Sequence, residues 1–492
     1  MSDRPHITRR ESLKLAALGA GSALLLPGRA GTAAAQAKPP APEPGGDRPR
    51  NIIFLVADGM SAGVLSLAGP FARVVRGEQA GTAWAELMAD PAAAHGRVET
   101  HSLNSLVTDS AAAASAWGSG HRVANGAINV LPDGTRLTPL SKPVRASGRR
   151  MGLVTTTRVT HATPAGFAAV QASRGDEDQI APQYLGEVDV VMGGGRRWFD
   201  AWSKAHGEDL VGRYRDAGYT TWDKRLQVTG PRVPQRVLGL FEGGHLPYAI
   251  DRRRDGELER RVPTLAEMTR KAIEVLEPRG DGFFLMVEGG RVDHAAHGND
   301  AGAIMWEQLA FDDAVREALR FAGQRDDTLV VVTTDHGNSN PGLYGYGDLE
   351  RLAGQEASYN AIREQIRSGG DAAETVRALT GIGIDSAEAA LLMETVDEPN
   401  RNELNRQHRH FHGTLGQILG NRTGVQWSGT NHTADHVVLT AAGPGAERFA
   451  GLQPNTAAFD HVTDLWGLPA AANAPRHGEE ESSRKPEGVK GS

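Results

Sequence analysis

Three stretches of almost unbroken apolar residues punctuate the chain, and each stops at an acid. Asn51–Val56 runs into Ala57-Asp58-Gly59, Phe283–Val287 into Glu288-Gly289-Gly290, and Thr328–Thr334 into Asp335-His336-Gly337. Short apolar runs without alternation mark strands covered on both faces, as in a parallel sheet. Met151–Thr156, Val188–Met192 and Val437–Thr440 read as further strands, and Thr264–Leu276 has helical periodicity. Strands alternating with helices predict an α/β fold. A different pattern opens at Val107–Trp117, Val-Thr-Asp-Ser-Ala-Ala-Ala-Ala-Ser-Ala-Trp. Thr108, Asp109 or Ser110 can cap a helix there, and the alanines that follow are strong helix formers. Ser110 then stands at the positive end of a helix dipole, a natural seat for phosphate.

Ligands in open α/β sheets gather beyond the carboxyl ends of the strands, which is where Asp58, Glu288 and Asp335 fall. Carboxylates brought together repel and raise one another's pKa unless cations bind between them. Histidines extend the set. Asp293 and His297 are four apart in Arg291-Val292-Asp293-His294-Ala295-Ala296-His297 and share one face of a helix. His336 adjoins Asp335, and His432 lies in Ser428-Gly429-Thr430-Asn431-His432-Thr433. Mixed histidine and carboxylate donors suit zinc. Arg174, in Ala-Ser-Arg, can grip an anion with two parallel hydrogen bonds.

Composition narrows the chemistry. The 492 residues contain no cysteine, so disulfides, thiolate ligands and a cysteine nucleophile are excluded, while 17 histidines leave ample nitrogen donors. A net charge of −7 argues against nucleic acid as a partner. Near the start, Thr8-Arg9-Arg10-Glu11-Ser12-Leu13-Lys14 precedes an apolar run, Leu15–Leu26, too short to span a membrane, and then Ala35-Gln36-Ala37. Residues 1–37 resemble a twin-arginine export signal, which implies passage through the twin-arginine machinery to the periplasm or beyond, with no membrane anchor. A Pro-rich linker is expected at 38–50, a catalytic domain at 51–470 and a disordered polar tail at 475–492. Residues 340–427 are charged, helix-favouring and free of long apolar runs, and read as an inserted, mainly helical subdomain. Its alternating His408, His410 and His412 read as a solvated loop.

The motifs together resemble those of the alkaline phosphatases: Val-Ala-Asp-Gly-Met at 56–60, Thr-Asp-Ser-Ala-Ala at 108–112, Val-Glu-Gly-Gly-Arg-Val-Asp-His-Ala-Ala-His at 287–297 and Thr-Asp-His-Gly-Asn at 334–338. The likeness covers roughly Arg50 to Asn340 and Gly429 to Leu468. It implies a three-layer sandwich whose central mixed, mostly parallel sheet has ten strands between helical layers, and a homodimer. It implies hydrolysis of phosphate monoesters through a phosphoserine at Ser110, with two zinc ions and one magnesium. By the same resemblance Asp293, His297 and His432 hold one zinc, and Asp58, Asp335 and His336 with Ser110 hold the other. Asp58, Thr163 and Glu288 would bind magnesium, and Arg174 would clamp the phosphate. His161 and His294 depart from the compact bacterial pattern, which has aspartate and lysine there, and would tune the third metal from its surroundings. Two rivals stay open. One is a related sulfatase, diesterase or mutase, although Ser110-Ala-Ala-Ala lacks the sulfatase pattern; the other is a binding protein that keeps the fold without turnover.

Overall fold

The computed structural model of the chain describes residues 48–345, 347–400 and 405–468. The export signal, most of the linker and the polar tail expected above lie outside the described residues. Residues 48–50 are already tied to the fold: Trp466 Nε1 donates to the Pro49 carbonyl at 2.8 Å and the Arg50 N–H to the Asp327 carbonyl at 2.7 Å.

The first eight strands are β1 (Asn51–Val56), β2 (Ala94–Glu99), β3 (Arg150–Arg158), β4 (Val190–Gly194), β5 (Tyr219–Trp222), β6 (Arg236–Leu240), β7 (Phe283–Glu288) and β8 (Thr328–Thr333). Four two-residue strands follow: β9 (Gly337–Asn338), β10 (Gly342–Leu343), β11 (Val425–Gln426) and β12 (His432–Thr433). The last two are β13 (Val437–Ala442) and β14 (Gly451–Pro454). Ten of them form one sheet in the order β14-β2-β13-β8-β1-β7-β3-β4-β6-β5. Only β13 runs against the rest, pairing antiparallel with both β2 and β8. The mixed, mostly parallel ten-stranded sheet is therefore present.

The apolar runs are explained by burial on both faces. Along β1, Ile53 and Leu55 join one core, while Ile52, Phe54 and Val56 join the other. β7 and β8 divide in the same way, with Leu285 and Val332 on one side and Met286 and Val331 on the other. Each core is closed by helices, giving the three layers.

The alanine-rich helix Ser110–Ser119 has all ten residues buried. Its small side chains serve packing as much as propensity. A Cβ on Gly118 would lie 1.9 Å from the Gly166 carbonyl oxygen, so this helix and Ala162–Ala168 touch almost backbone to backbone.

Residues 340–427 are mainly helical, as expected. The helices Tyr359–Arg367, Ala372–Thr380, Ser386–Met393 and Phe411–Thr423 share a separate apolar cluster that includes Ile362, Val376, Leu392 and Leu415. Leu352 and Val425, near its ends, pack instead into a core of the main sheet. Of the three histidines only His410 is exposed as in a solvated loop. His408 is buried, His410 precedes the helix Phe411–Thr423, and His412 lies inside it with Nε2 2.7 Å from Asn360 Oδ1. The apolar faces of the surrounding helices draw this stretch against the insert's own core, which its polar composition conceals.

Candidate functional site

β8, β1 and β7 are neighbours in parallel register, with Val56 level with both Glu288 and Thr333. The acids that end these strands therefore emerge side by side. All three are buried. Both oxygens of Asp58, Oε1 of Glu288 and Oδ2 of Asp335 have no hydrogen-bond partner. Burial, then the Asp335, Asp293 and Glu288 carboxylates, push Asp58 well above the usual carboxylate range. Glu288 is pushed up to about 7 by burial, against the pull of the Thr155, Thr163 and Thr157 hydroxyls. Thr155 donates to Glu288 Oε2, and Thr157 Oγ1 does so at 3.1 Å. Thr163 Oγ1 stands near the carboxylate but is buried without meeting hydrogen-bond geometry.

The turn after Asp58 needs glycine. Gly59 has φ +65°, and a Cβ there would lie 2.4 Å from Asp293 Oδ1. Asp293 and His297 sit on the helix Arg291–His297, with His297 Nε2 3.4 Å from Asp293 Oδ2. His432 reaches the same place because β12 pairs with β9, setting His432 opposite Asn338. Its Nε2 is 3.5 Å from Asp293 Oδ1 and 3.1 Å from His297 Nε2. The outer nitrogens settle the tautomers. His297 Nδ1 donates to the Thr430 carbonyl at 2.7 Å and His432 Nδ1 to that of Thr108 at 2.9 Å. The two Nε2 atoms are then left facing each other beside a carboxylate, an arrangement that calls for a cation or a shared proton between them. Correspondingly, burial lowers His432 but Asp293 outweighs it and raises it to about 9; burial raises Asp293, but His297 and His432 hold it well below the usual range.

His336 Nε2 lies 3.2 Å from Asp335 Oδ2, 3.7 Å from Asp58 Oδ1 and 3.3 Å from Ser110 Oγ. Burial pushes His336 down to about 4, so it faces these groups as a neutral imidazole. Three sets have donor atoms within 4.8 Å of one another: Asp293, His297 and His432; Asp58, Asp293 and His336; and Asp58, His161 and Glu288. Oxygen and nitrogen donors without sulfur, several of them buried and unpartnered, fit zinc and magnesium. Asp335 falls outside these three sets and touches them through His336.

Ser110 opens its helix, and Asp109 provides the cap, its Oδ1 accepting the Ala112 N–H at 2.9 Å. The other Asp109 oxygen accepts from Arg174 NH1 at 3.0 Å, which tethers Arg174 beside Ser110. Arg174 NH2 meets His161 Nε2 at 3.1 Å. Burial, then Arg174, push His161 well below its ordinary value. His294 is held down to about 3, by burial and then Arg291.

A sequence profile described as alkaline phosphatase matches residues 49–467. The chain belongs to the alkaline phosphatase family. The match runs straight through residues 340–427, where the motifs show no likeness. Alkaline phosphatase 3 of Bacillus subtilis (strain 168) is 34% identical over 362 residues, covering 71% of this chain and 75% of that protein. Streptomycin-6-phosphate phosphatase of Streptomyces griseus is 29% identical over 503 residues, covering 92% of this chain and 97% of that one. The crystal structure of Thermus thermophilus alkaline phosphatase superposes with a TM-score of 0.80 at 34% identity, over 89% of this chain and 95% of that one. That of a Shewanella sp. cold-active alkaline phosphatase gives 0.72 at 30% identity, over 85% and 100%. As a member, the chain is a metal-dependent phosphomonoesterase.

The alkaline phosphatase motifs name most of this site but miss several of its supports. Asn338 Nδ2 donates to Asp293 Oδ1 at 2.7 Å, and its place in Thr-Asp-His-Gly-Asn was the available signal. Thr155 and Thr157 hold Glu288, and only their place on the adjacent β3 foreshadows it. His245 completes a cluster with His161 and His294, its ring centroid 5.6 Å and 4.4 Å from theirs. No motif marks His245. Among the described residues, no helix is long and apolar enough to cross a membrane.

Proposed function

We propose that the chain hydrolyses phosphate monoesters through a phosphoserine on Ser110, with two zinc ions and one magnesium as cofactors. Asp293, His297 and His432 would hold one zinc, and Asp58, Asp335 and His336 with Ser110 the other. Asp58, Thr163 and Glu288 would hold magnesium, with His161 and His294 tuning it from alongside. The observation that carries this reading is the pair of Nε2 atoms of His297 and His432, 3.1 Å apart and both beside the Asp293 carboxylate, while each Nδ1 is engaged by a backbone carbonyl. Bound there, the metals supply Lewis acidity that lowers the cost of making serine and leaving-group oxygens anionic.

The chain's own residues do the rest. Ser110 Oγ attacks phosphorus and the ester P–O bond breaks, so the alcohol leaves and the phosphoryl group stays on serine. Water then attacks the phosphoserine from the opposite side, restoring Ser110 and releasing phosphate. Two in-line displacements give net retention at phosphorus. Arg174, fixed by Asp109, holds non-bridging oxygens with two donors, and the helix start adds its dipole. His336 Nε2 lies 3.3 Å from Ser110 Oγ, so both would face the same zinc.

We also take residues 1–37 as a twin-arginine export signal that delivers a homodimer to the periplasm or beyond. Residues 340–427 are taken as an inserted subdomain; their separate apolar cluster supports that division.

The test is turnover of a monoester, a diester and a sulfate ester before and after exhaustive chelation, for the parent and Ser110→Ala. Monoesters alone should be cleaved at a useful rate, chelation should abolish turnover, and zinc with magnesium should restore it. Ser110→Ala should lose the trapped phosphoenzyme and several orders of magnitude in kcat. Label trapped on another residue, or undiminished activity after chelation, would refute the assignment.

A further inference from the structure

A cavity of about 340 Å³ lies against the outer side of His297 and His294. Its size suits a substituent of a small substrate rather than a macromolecule. The cavity is lined by His245, Tyr248 and Arg291 of the main fold and by Asn360 and His412 of the inserted helices. It therefore joins the metal-ligand face to the one segment that the alkaline phosphatase motifs leave unexplained.

The polar atoms in this wall have an unusual balance. Arg158 is fixed by Glu177, Nε donating to its two oxygens at 2.9 and 2.8 Å, and its NH1 meets His245 Nε2. Arginine has no acceptor, so His245 Nε2 must receive that bond and the ring proton must sit on Nδ1. His245 Nδ1 is buried and has no partner. Arg291 Cζ lies over the Tyr248 ring, 3.7 Å from its centroid, and NH1 donates to His294 Nδ1 at 3.2 Å. Its Nε is likewise buried without a partner. Both unpartnered groups are donors.

The acid that lines the same cavity is already engaged. Asp300 Oδ1 accepts from Ala303 N at 3.0 Å and Gln355 Nε2 at 2.7 Å, and Oδ2 accepts from Tyr359 N at 2.6 Å. His412 Nε2 is occupied by Asn360 Oδ1. With its one acid already engaged, the cavity lining thus carries a permanent cation, Arg291, and two N–H donors without partners. An occupant that satisfies them brings oxygen acceptors, and a charged one gains most.

We propose that this cavity is a leaving-group subsite that binds a second anionic oxygen group of the substrate, a carboxylate or a phosphate, through Arg291 and His245. The inference rests on the phosphomonoesterase reading above, because it places the alcohol portion of the ester beside His297. Preferred substrates are then esters whose alcohol carries an acid a few atoms from the scissile bond. The inserted helices close the subsite and set the length of alcohol it accepts. Arg158 is a positioning residue, holding the His245 tautomer whose proton points away from it.

Three matched esters test this on the metal-loaded full chain: 3-hydroxypropyl phosphate, 2-carboxyethyl phosphate and propane-1,3-diyl bisphosphate. At least one acidic ester should exceed the neutral one in kcat/KM by about tenfold, the size of one charge-assisted hydrogen bond. Which acidic ester does so separates a carboxylate site from a phosphate site. Arg291→Met should bring that ratio to about one, and Arg291→Lys should keep part of it. Because Arg291 stands two residues from Asp293, zinc content is measured for each variant. Asn360→Trp, introduced from an exposed position on the inserted helices, should fill the cavity and lower the same ratio with zinc intact. Equal kcat/KM for the three esters, or a preference that survives both Arg291→Met and Asn360→Trp, overturns the subsite. Absence of any monoester turnover overturns the hydrolytic reading and the subsite together.

Discussion

The two ends of the donor array use the same residue types and behave in opposite ways. At the Asp293, His297 and His432 end, the carboxylate is pulled down and His432 is held up to about 9, because imidazoles face the acid. At the Asp58, His161 and Glu288 end, burial and neighbouring carboxylates push Asp58 up and Glu288 to about 7, while His161 is driven down by burial and Arg174. Residue type does not decide affinity here. What each carboxylate faces does. A cation at the first end replaces a proton shared with imidazole, whereas at the second it displaces protons from buried acids and must bring more stabilisation with it.

The largest effect should come from removing a ligand at each end. Asp293 belongs to two of the three donor sets, so Asp293→Ala should lose zinc and cost on the order of a thousandfold or more in kcat. Glu288→Gln keeps the shape and should cost only about ten- to a hundredfold, at unchanged zinc content. Equal losses would erase the contrast between the ends.

Acidity offers a second way to break it. If Glu288 holds magnesium as proposed, the ion needs its charged form, and its proton is retained below about 7. At fixed zinc, magnesium affinity should be nearly constant above that pH and weaken about tenfold per unit below it, as one proton must be expelled. A magnesium titration of turnover that gives the same midpoint at pH 6 and pH 8 would contradict this assignment.

Replacing the neutral imidazoles sharpens the comparison from the other side. His161→Asp with His294→Lys gives the third set a hard oxygen donor and a compensating cation. Magnesium binding should tighten several-fold, and kcat should fall as phosphate is held more firmly; an unchanged magnesium requirement would remove both histidines from that role. The smallest effect is expected for Thr155→Val. Losing its hydroxyl from Glu288 should move the midpoint of the magnesium pH profile upward by about half a unit to one unit, the worth of one hydrogen bond. A midpoint that stays or moves downward would show that Thr155 does not stabilise the charged form.

The strands and their terminal acids were legible because two-sided burial leaves a local signature: β1, β7 and β8 are buried throughout and apolar at every position except their end residues. The shared helix face of Asp293 and His297 was legible because helical spacing is also local. What escaped depends on distant chain. Nothing near His245 announces that it meets His161 and His294, and the Thr155 and Thr157 hydroxyls reach Glu288 only because β3 lies beside β7. The reversed direction of β13 is equally invisible in its apolar run. The alanines after Ser110 read as propensity, whereas the contact of Gly118 with Gly166 shows that small size is what the second helix requires. His408 was misjudged for a related reason: a polar sequence around a buried residue masks the cluster that buries it.

The short pairings β9 with β12 and β10 with β11 close the chain at both feet of the inserted helices. In polymer terms they turn the insert into a loop whose ends are pinned. The entropy of such closure grows only with the logarithm of length, so doubling the excursion costs about 0.6 kcal/mol. A longer, shorter or wholly different set of helices can therefore hang from the same clasp at little expense to the fold. Asn360 and His412 ride on that exchangeable piece while Asp335, His336 and His432 stay on the clasp. Chain topology thereby lets the outer wall drift while the donor side chains beneath it keep their places.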